Sequence, residues 1–215
     1  MIEDVRCTLV GQEDPMELGV TVGTSQAAKA ASHNRILDVA AATIRRDGMD
    51  KLTVAELMKK AGLTNGGFYR HFDSREQLVA EATERAMTQG SAWTVESGQL
   101  GGRQGYKKLV NGYLSADHRD HPESGCGVAA MAADTGRIEG PARAAYSHQV
   151  EQCLSVLADL VEDRDPKVAK REAALLLSAL VGAISIARAV DDEALSNQIL
   201  RDAGTALKER LSRAD

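Results

Sequence analysis

Between Thr53 and Arg75 lie the residues best equipped to meet a polyanion: Thr53, Thr64, Asn65, Tyr69, Arg70, His71 and Arg75, with the small pair Gly66 and Gly67 among them. Asn65 can pair with base edges, the polar tips of Tyr69 and His71 can reach phosphate oxygens, and Arg70 and Arg75 add charge. Two glycines inside a helical stretch cost about 1 kcal/mol each relative to alanine, a penalty that makes sense where backbone must approach another surface closely. Arg75, in the first turn of a helix, opposes the helix dipole unless a phosphate lies nearby. This is chemistry for recognition, not for bond breaking. No G-x-S-x-G, G-x-G-x-x-G, Walker or H-E-x-x-H pattern occurs, so no catalytic residue, cofactor or metal is assigned and an enzyme is not expected.

The charge distribution agrees. The chain carries a net charge of −5, which taken whole argues against a nucleic-acid partner. From Lys29 to Arg75, however, nine basic residues face five acidic ones, +4, while residues 1–28 sum to −4 and residues 76–215 to −5. The local field governs attraction to phosphate. Lys59, Lys60, Arg45 and Arg46 are expected on a solvated face near the backbone rather than as direct readers.

The elements that must position these residues are helices. Among 215 residues, 33 are alanine and 3% are aromatic, a composition that favours close-packed helices over strands. Residues 1–31 lack helical periodicity and are expected to form a disordered arm, with Met16 an alternative start. From Ser32, a candidate N-cap, Ile36, Leu37, Ala40 and Ile44 recur at helical spacing until Gly48. Thr53 and Glu56 have the spacing of a capping box, with Val54, Leu57 and Met58 facing inward. Thr64 is placed to cap a short third helix reaching His71, and Ser74 with Gln77 to cap a fourth running past Met87. Phe68 and Phe72, four apart and the only phenylalanines, share the buried face. The glycine-containing connection from Lys60 to Thr64 is tight, as a helix-turn-helix requires.

Further helices are expected from Tyr106 to His118, Cys126 to Asp134, near Pro141 through Leu160, Asp165 to Val190 and Glu193 to Arg213, making nine in an all-α fold. ESGQLGGRQG and HRDHPESG read as breaks. No uninterrupted run of about 18 apolar residues is present, so no membrane span is expected. The acidic N-terminus lacks the form of a secretory signal. Cys7, Cys126 and Cys153 fit reduced thiols, and the expected location is cytoplasmic.

The stretch LTVAELMKKAGLTNGGFYRHFDSREQLVAEA resembles the N-terminal signature of the TetR family of bacterial transcriptional regulators. The likeness rests on the capped helix at Thr53, the AGLT turn at 61–64, Gly67-Phe68-Tyr69, His71-Phe72 and the Ser74 to Leu78 helix start. It covers residues 32–80 at motif level and the remainder by helix count and length. The resemblance implies a DNA-binding domain over residues 32–78 and a ligand-binding and dimerisation domain over 79–215. Its last two helices would pair with those of a second copy. AALLLSALVGAISIARA, apolar nearly all round with Ala174, Ser178, Gly182 and Ser185 small, can serve that purpose. The implied function is a homodimeric repressor on a palindromic operator, released by an unknown small-molecule inducer. Trp93, Tyr106, Tyr113, Cys126, Met131, Tyr146 and His148 are the candidate ligand contacts.

The segment HPESGCGVAAMAADTGR resembles one branch of that family, in which a Gly-Cys pair opens the sixth helix. This opens an alternative, a redox or electrophile sensor acting through Cys126, whose thiol would be activated by a helix N-terminus and by His118 and His121. A His118, His121, Cys126 metal site is disfavoured because HRDHP reads as a polar interhelical loop.

Overall fold

The computed structural model describes residues 20–90, 92–161 and 165–213. Residues 1–19 of the expected arm, with Cys7 and Met16, lie outside the described residues. Among those described there are ten α-helices, three 3-10 helices and no strand. The N-terminal part contains α1 (Val20–Asp47), α2 (Val54–Lys60), a 3-10 helix (Asn65–Arg70) and α3 (Arg75–Gln89). The remainder contains α4 (Ala92–Leu100), α5 (Gly102–Tyr113), α6 (Ala116–Asp120), α7 (Gly127–Thr135), α8 (Pro141–Val161), α9 (Pro166–Ala189) and α10 (Glu193–Arg213). Two further 3-10 turns, Met49–Lys51 and Pro122–Ser124, connect elements.

The N-terminal core is the one the periodicity points to. Ile36, Leu37, Ala40, Ala41 and Ile44 from α1 are buried with Leu57, Met58, Phe68, Phe72, Leu78 and Ala82. Each such large side chain contributes roughly 1.5–3 kcal/mol on burial. Gly48, at φ 89, ends α1, and Gly62, at φ 73, makes the sharp connection after α2. Both backbone angles are costly for any residue with a Cβ.

Several expectations of local structure need correcting. The helix expected to start at Ser32 starts at Val20, so part of the expected arm is helical. SQAAKAAS contains no proline or glycine, and alanine lets a helix propagate without a core; residues 26–31 are exposed, which is why no periodicity marks them. The third helix, expected as α-helical to His71, is a 3-10 helix. ESGQLGGRQG is no loop: α4 runs to Leu100 and α5 starts at Gly102. Two of its glycines serve close packing: a Cβ on Gly98 would lie 2.9 Å from Val156, and one on Gly105 2.2 Å from the Ser97 carbonyl oxygen. Last, HRDHP is largely the short helix α6, capped by Ser115, whose hydroxyl accepts from the His118 amide.

Helix α8 packs on α3, α4, α5 and α9, while α10 lies against α9 and α5. By length and composition α9 could cross a membrane. Here one side of it, Ala173, Leu176, Leu177, Leu180, Ile184 and Ala187, is buried in the helical core.

Polar contacts among the described residues join the N-terminal helices to the remainder. Arg45, only 6% exposed, donates to the Glu123 carbonyl (2.7 Å), the Ala86 carbonyl (3.0 Å) and Gln89 Oε1 (3.1 Å). The Met49 amide donates to Asp134 Oδ2 of α7 at 2.9 Å. Arg45 is therefore not on the solvated face expected for it. Arg46 is exposed and paired with Asp47.

Candidate nucleic-acid interface

Local capping sets up the reader. Thr53 accepts from the Glu56 amide, and its hydroxyl donates to the Glu56 carboxylate at 3.4 Å. Ser74 accepts from the Gln77 amide at 3.1 Å, while Gln77 Oε1 accepts from the Asp73 amide at 2.6 Å. Thr64 occupies the N-cap of the Asn65–Arg70 helix but makes no capping bond. Its hydroxyl thus lacks the role expected for it inside the fold.

Thr53, Thr64, Asn65, Gly66, Tyr69, Arg70 and Arg75 are all exposed, and Gly67 and His71 are half-buried. Tyr69, at 77%, is an unusually exposed large side chain beside the buried Phe68, whose ring it meets edge-on at 5.2 Å. Phe68 and Phe72 stack at 5.5 Å and anchor the segment from inside. Arg75 reaches the Leu52 carbonyl at 3.5 Å, which draws it toward the start of α2 and Thr53. Lys59 and Lys60 are exposed, as expected.

The two glycines are informative because the fold does not require them. A Cβ on Gly66 would meet nothing within 4 Å, and one on Gly67 would make ordinary contacts with Met58 (3.6 Å) and Thr64 (3.8 Å). Neither has a positive φ. Their lack of side chains keeps an exposed surface flat rather than filling a tight interior.

Sequence reasoning missed His33. From α1 its Nε2 pairs with Glu81 at 2.8 Å, and its ring stacks on Phe72 at 4.6 Å and lies 6.1 Å from His71. His71 Nδ1 is buried with no hydrogen-bond partner. Burial chiefly, then the charges of His33, Lys29 and Arg70, hold the His71 pKa below its ordinary value. A histidine on another helix, well upstream of Thr53, carries no local sequence signal linking it to His71.

The candidate ligand contacts divide. Tyr113 is buried with its hydroxyl beside the Cys126 thiol and within electrostatic reach of Cys153; burial, reinforced by Cys126, pushes its phenol well above the usual range. Tyr146, also near Cys126, donates to the Val128 carbonyl at 3.2 Å, and burial pushes it up to about 12. Met131 is fully buried in α7. Trp93 lies over Gly112, where a Cβ would come within 2.3 Å of the indole, and 5.4 Å from the His118 ring. An open pocket of about 250 Å³ is lined by Trp93, Glu96, Ser97, Lys108 and Gly112, with Lys108 and Glu96 paired at 2.9 Å. Two candidates do not join these. Tyr106 donates to the Leu207 carbonyl at 3.2 Å and ties α5 to α10, and His148 is exposed beside Gln152.

His118 is a structural residue. Its Nδ1 bonds the Tyr113 carbonyl at 2.7 Å and its Nε2 the Cys126 amide at 3.0 Å, so one nitrogen donates and the other accepts. Burial lowers its pKa first, with Arg188 acting the same way against the raising effect of the Tyr113 bond. Arg188 of α9 donates to the carbonyls of His118 and Arg119. With both ring nitrogens engaged, His118 is left with none for the Cys126 thiol or for a metal. His121 is exposed and bonded to Asp117.

Comparison with known proteins places these features. Residues 36–82 match the bacterial regulatory proteins of the tetR family. An uncharacterised HTH-type transcriptional regulator of Bacillus subtilis, YvdT, is 32% identical over 59 residues, 27% of this chain and 30% of that protein. The HTH-type transcriptional repressor KstR2 of Rhodococcus jostii is 36% identical over 53 residues, 25% of this chain and 26% of its own. Both matches thus span less than a third of the relatives' length. In fold, a TetR transcriptional regulator from Chloroflexus aurantiacus covers 86% of this chain with 96% of its own, at TM-score 0.69 and 20% identity. The motif-bearing N-terminal helices thus match the tetR-family model, and the all-helical fold as a whole is that of solved TetR-family regulators.

Proposed function

We propose that the protein is a ligand-responsive transcriptional repressor that binds a palindromic operator as a homodimer. Residues 32–78 read DNA, and residues 79–215 bind an inducer and dimerise. The observation that carries this reading is the flat, exposed surface at Asn65–Arg70, where Gly66 and Gly67 leave room that the fold itself has no use for. Asn65 and the glycine backbone lie against base edges in the major groove, and Thr53, Thr64, Tyr69, Arg70, His71 and Arg75 hold phosphates. Support for pairing comes from α9 and α10, which leave Leu175, Ile186 (54%) and Leu195 exposed, with open space at Gly182. A symmetric partner would cover this face. The inducer is assigned to the region around Tyr113, a buried phenol beside the Cys126 thiol. A regulator of this kind acts in the cytoplasm and has no catalytic role.

Gly66→Ala separates reading from folding. The variant should unfold at the same denaturant concentration as the native chain or gain up to about 1 kcal/mol. Its affinity for DNA selected by the native protein should drop by about tenfold or more, comparable to removing one base interaction of about 1–3 kcal/mol. Unchanged DNA affinity, measured by fluorescence anisotropy, would remove Gly66 from the contact surface and with it the main support for this reading.

A further inference from the structure

We propose that the seam between α1 and the Asn65–Arg70 helix is a proton-coupled phosphate site, in which Lys29, His33, Arg70 and His71 receive a DNA phosphate and His71 takes up a proton as it docks. The inference rests on the DNA-binding reading and extends it to residues of α1 and to a dependence on pH.

Two imidazoles meet here, within electrostatic reach of two cations. His33 and His71 lie 6.1 Å apart across the seam, and the charges of Lys29 and Arg70 bear on the His71 ring. The groups facing His71 from α1 are Lys29 and His33. On α3, Glu81 is engaged by His33 at 2.8 Å and by Gln77 at 2.8 Å. On its own segment stand Arg70 and, two residues on, Asp73, whose amide holds Gln77. No carboxylate is bonded to His71 itself among the described residues; its Nδ1 is buried without a partner while the ring as a whole reaches the surface. Lys29 stands on the exposed N-terminal turns of α1, which extend past the helical core of this part of the chain.

In the free protein this concentration of positive charge opposes adding another. A phosphate in the seam reverses the balance, because it offsets Lys29, Arg70 and His33 and attracts the imidazolium directly. The sign follows. The ring is largely neutral when free and more protonated when bound, so binding consumes a proton and DNA affinity increases as pH falls between the bound and free pKa values. The limit is about tenfold per pH unit for each protomer. A sequence-independent contact of this kind should hold on any duplex.

The test is anisotropy of a labelled mixed-sequence duplex of about four helical turns, at fixed low ionic strength from about pH 8 to about pH 6. The native chain is compared with His71→Gln and Lys29→Ala, each checked for native helix content by circular dichroism. The native affinity should increase steadily toward the acid end. His71→Gln should still bind, with most of that pH dependence lost. Lys29→Ala, a change on an exposed helical surface that keeps helix propensity high, should bind several-fold more weakly and with a shallower salt slope. A native affinity that is flat across this range, or a pH slope retained in His71→Gln, overturns the proton step while leaving DNA binding intact. Equal binding by Lys29→Ala overturns its place in the site. If the native chain binds no duplex at any pH, the DNA-binding reading itself fails.

Discussion

Arg45→Ala is expected to lower the unfolding free energy by about 3 kcal/mol, which for a chain of this length corresponds to a fall in midpoint temperature of roughly 10 °C. The guanidinium is buried and satisfied by two backbone carbonyls and an amide oxygen rather than by a carboxylate. Burial lowers its pKa, with Glu123 and Asp38 opposing that effect. Hydrogen bonds to a charged group contribute about 1.5–3 kcal/mol each, and the carbonyls left behind keep their desolvation cost. The loss has a directional consequence. Arg45 is on α1, Ala86 and Gln89 are on α3, and Glu123 is in the turn before α7, so one side chain clamps α1 to α3 and, through the Glu123 carbonyl, ties both to the helices behind them. Arg45→Met, which keeps most of the volume, should recover only the packing share of the loss. Guanidinium denaturation of the three proteins measures both effects, and a loss below about 1 kcal/mol for Arg45→Ala, the level of an ordinary exposed substitution, would show that these bonds do not join the two parts.

Gly105→Ala should be at least as damaging. The added methyl would lie 2.2 Å from the Ser97 carbonyl oxygen and 2.7 Å from Leu160 Cδ2, so α4, α5 and α8 must separate. Overpacking of this kind costs about 1–3 kcal/mol and occasionally more. The clash with backbone puts this site at the upper end, well beyond the gain of about 1 kcal/mol from replacing a helical glycine. The opposite outcome is expected for Gly66→Ala, where the same methyl meets nothing. Thermal unfolding of Gly105→Ala by circular dichroism checks this, and a midpoint equal to the native one would mean that the α4–α5 approach is looser than the structure has it.

These two glycines also show where the sequence was legible and where it was not. The reader was legible because its determinants are local: Thr53 with Glu56, Ser74 with Gln77, and the Phe68–Phe72 spacing act within a few residues, and each is found in place. Glycine is ambiguous by itself. Gly98, Gly101, Gly102 and Gly105 spell a break when read along the chain, yet Gly98 and Gly105 permit close helix packing on Val156 and Ser97 that is visible only in three dimensions. Arg45 shows the same limit for charge, since an arginine near a helix end looks solvated until the acceptors from residues 86, 89 and 123 surround it. His118, in a run of polar residues, is drawn inward by the Tyr113 carbonyl and the Cys126 amide. The candidate ligand contacts were the least legible, because scarce large side chains serve packing as readily as binding: Tyr106 bonds α10, His148 faces outward, and Tyr113 is buried beside Cys126.

The most direct test of the central claim is a salt series of binding to DNA flanking this protein's own gene, comparing the native chain with the double variant Tyr69→Ala, Arg75→Ala. Both residues are exposed, so the variant should fold as the native chain does. The account predicts that the native protein protects two half-sites about 34 Å or a multiple of that apart. It predicts that the variant binds the same DNA more weakly, with a log–log salt slope reduced by roughly one unit for each phosphate deprived of its cationic partner. Equal affinity and equal slope for the two proteins, or protection of no discrete site by the native chain, would contradict it.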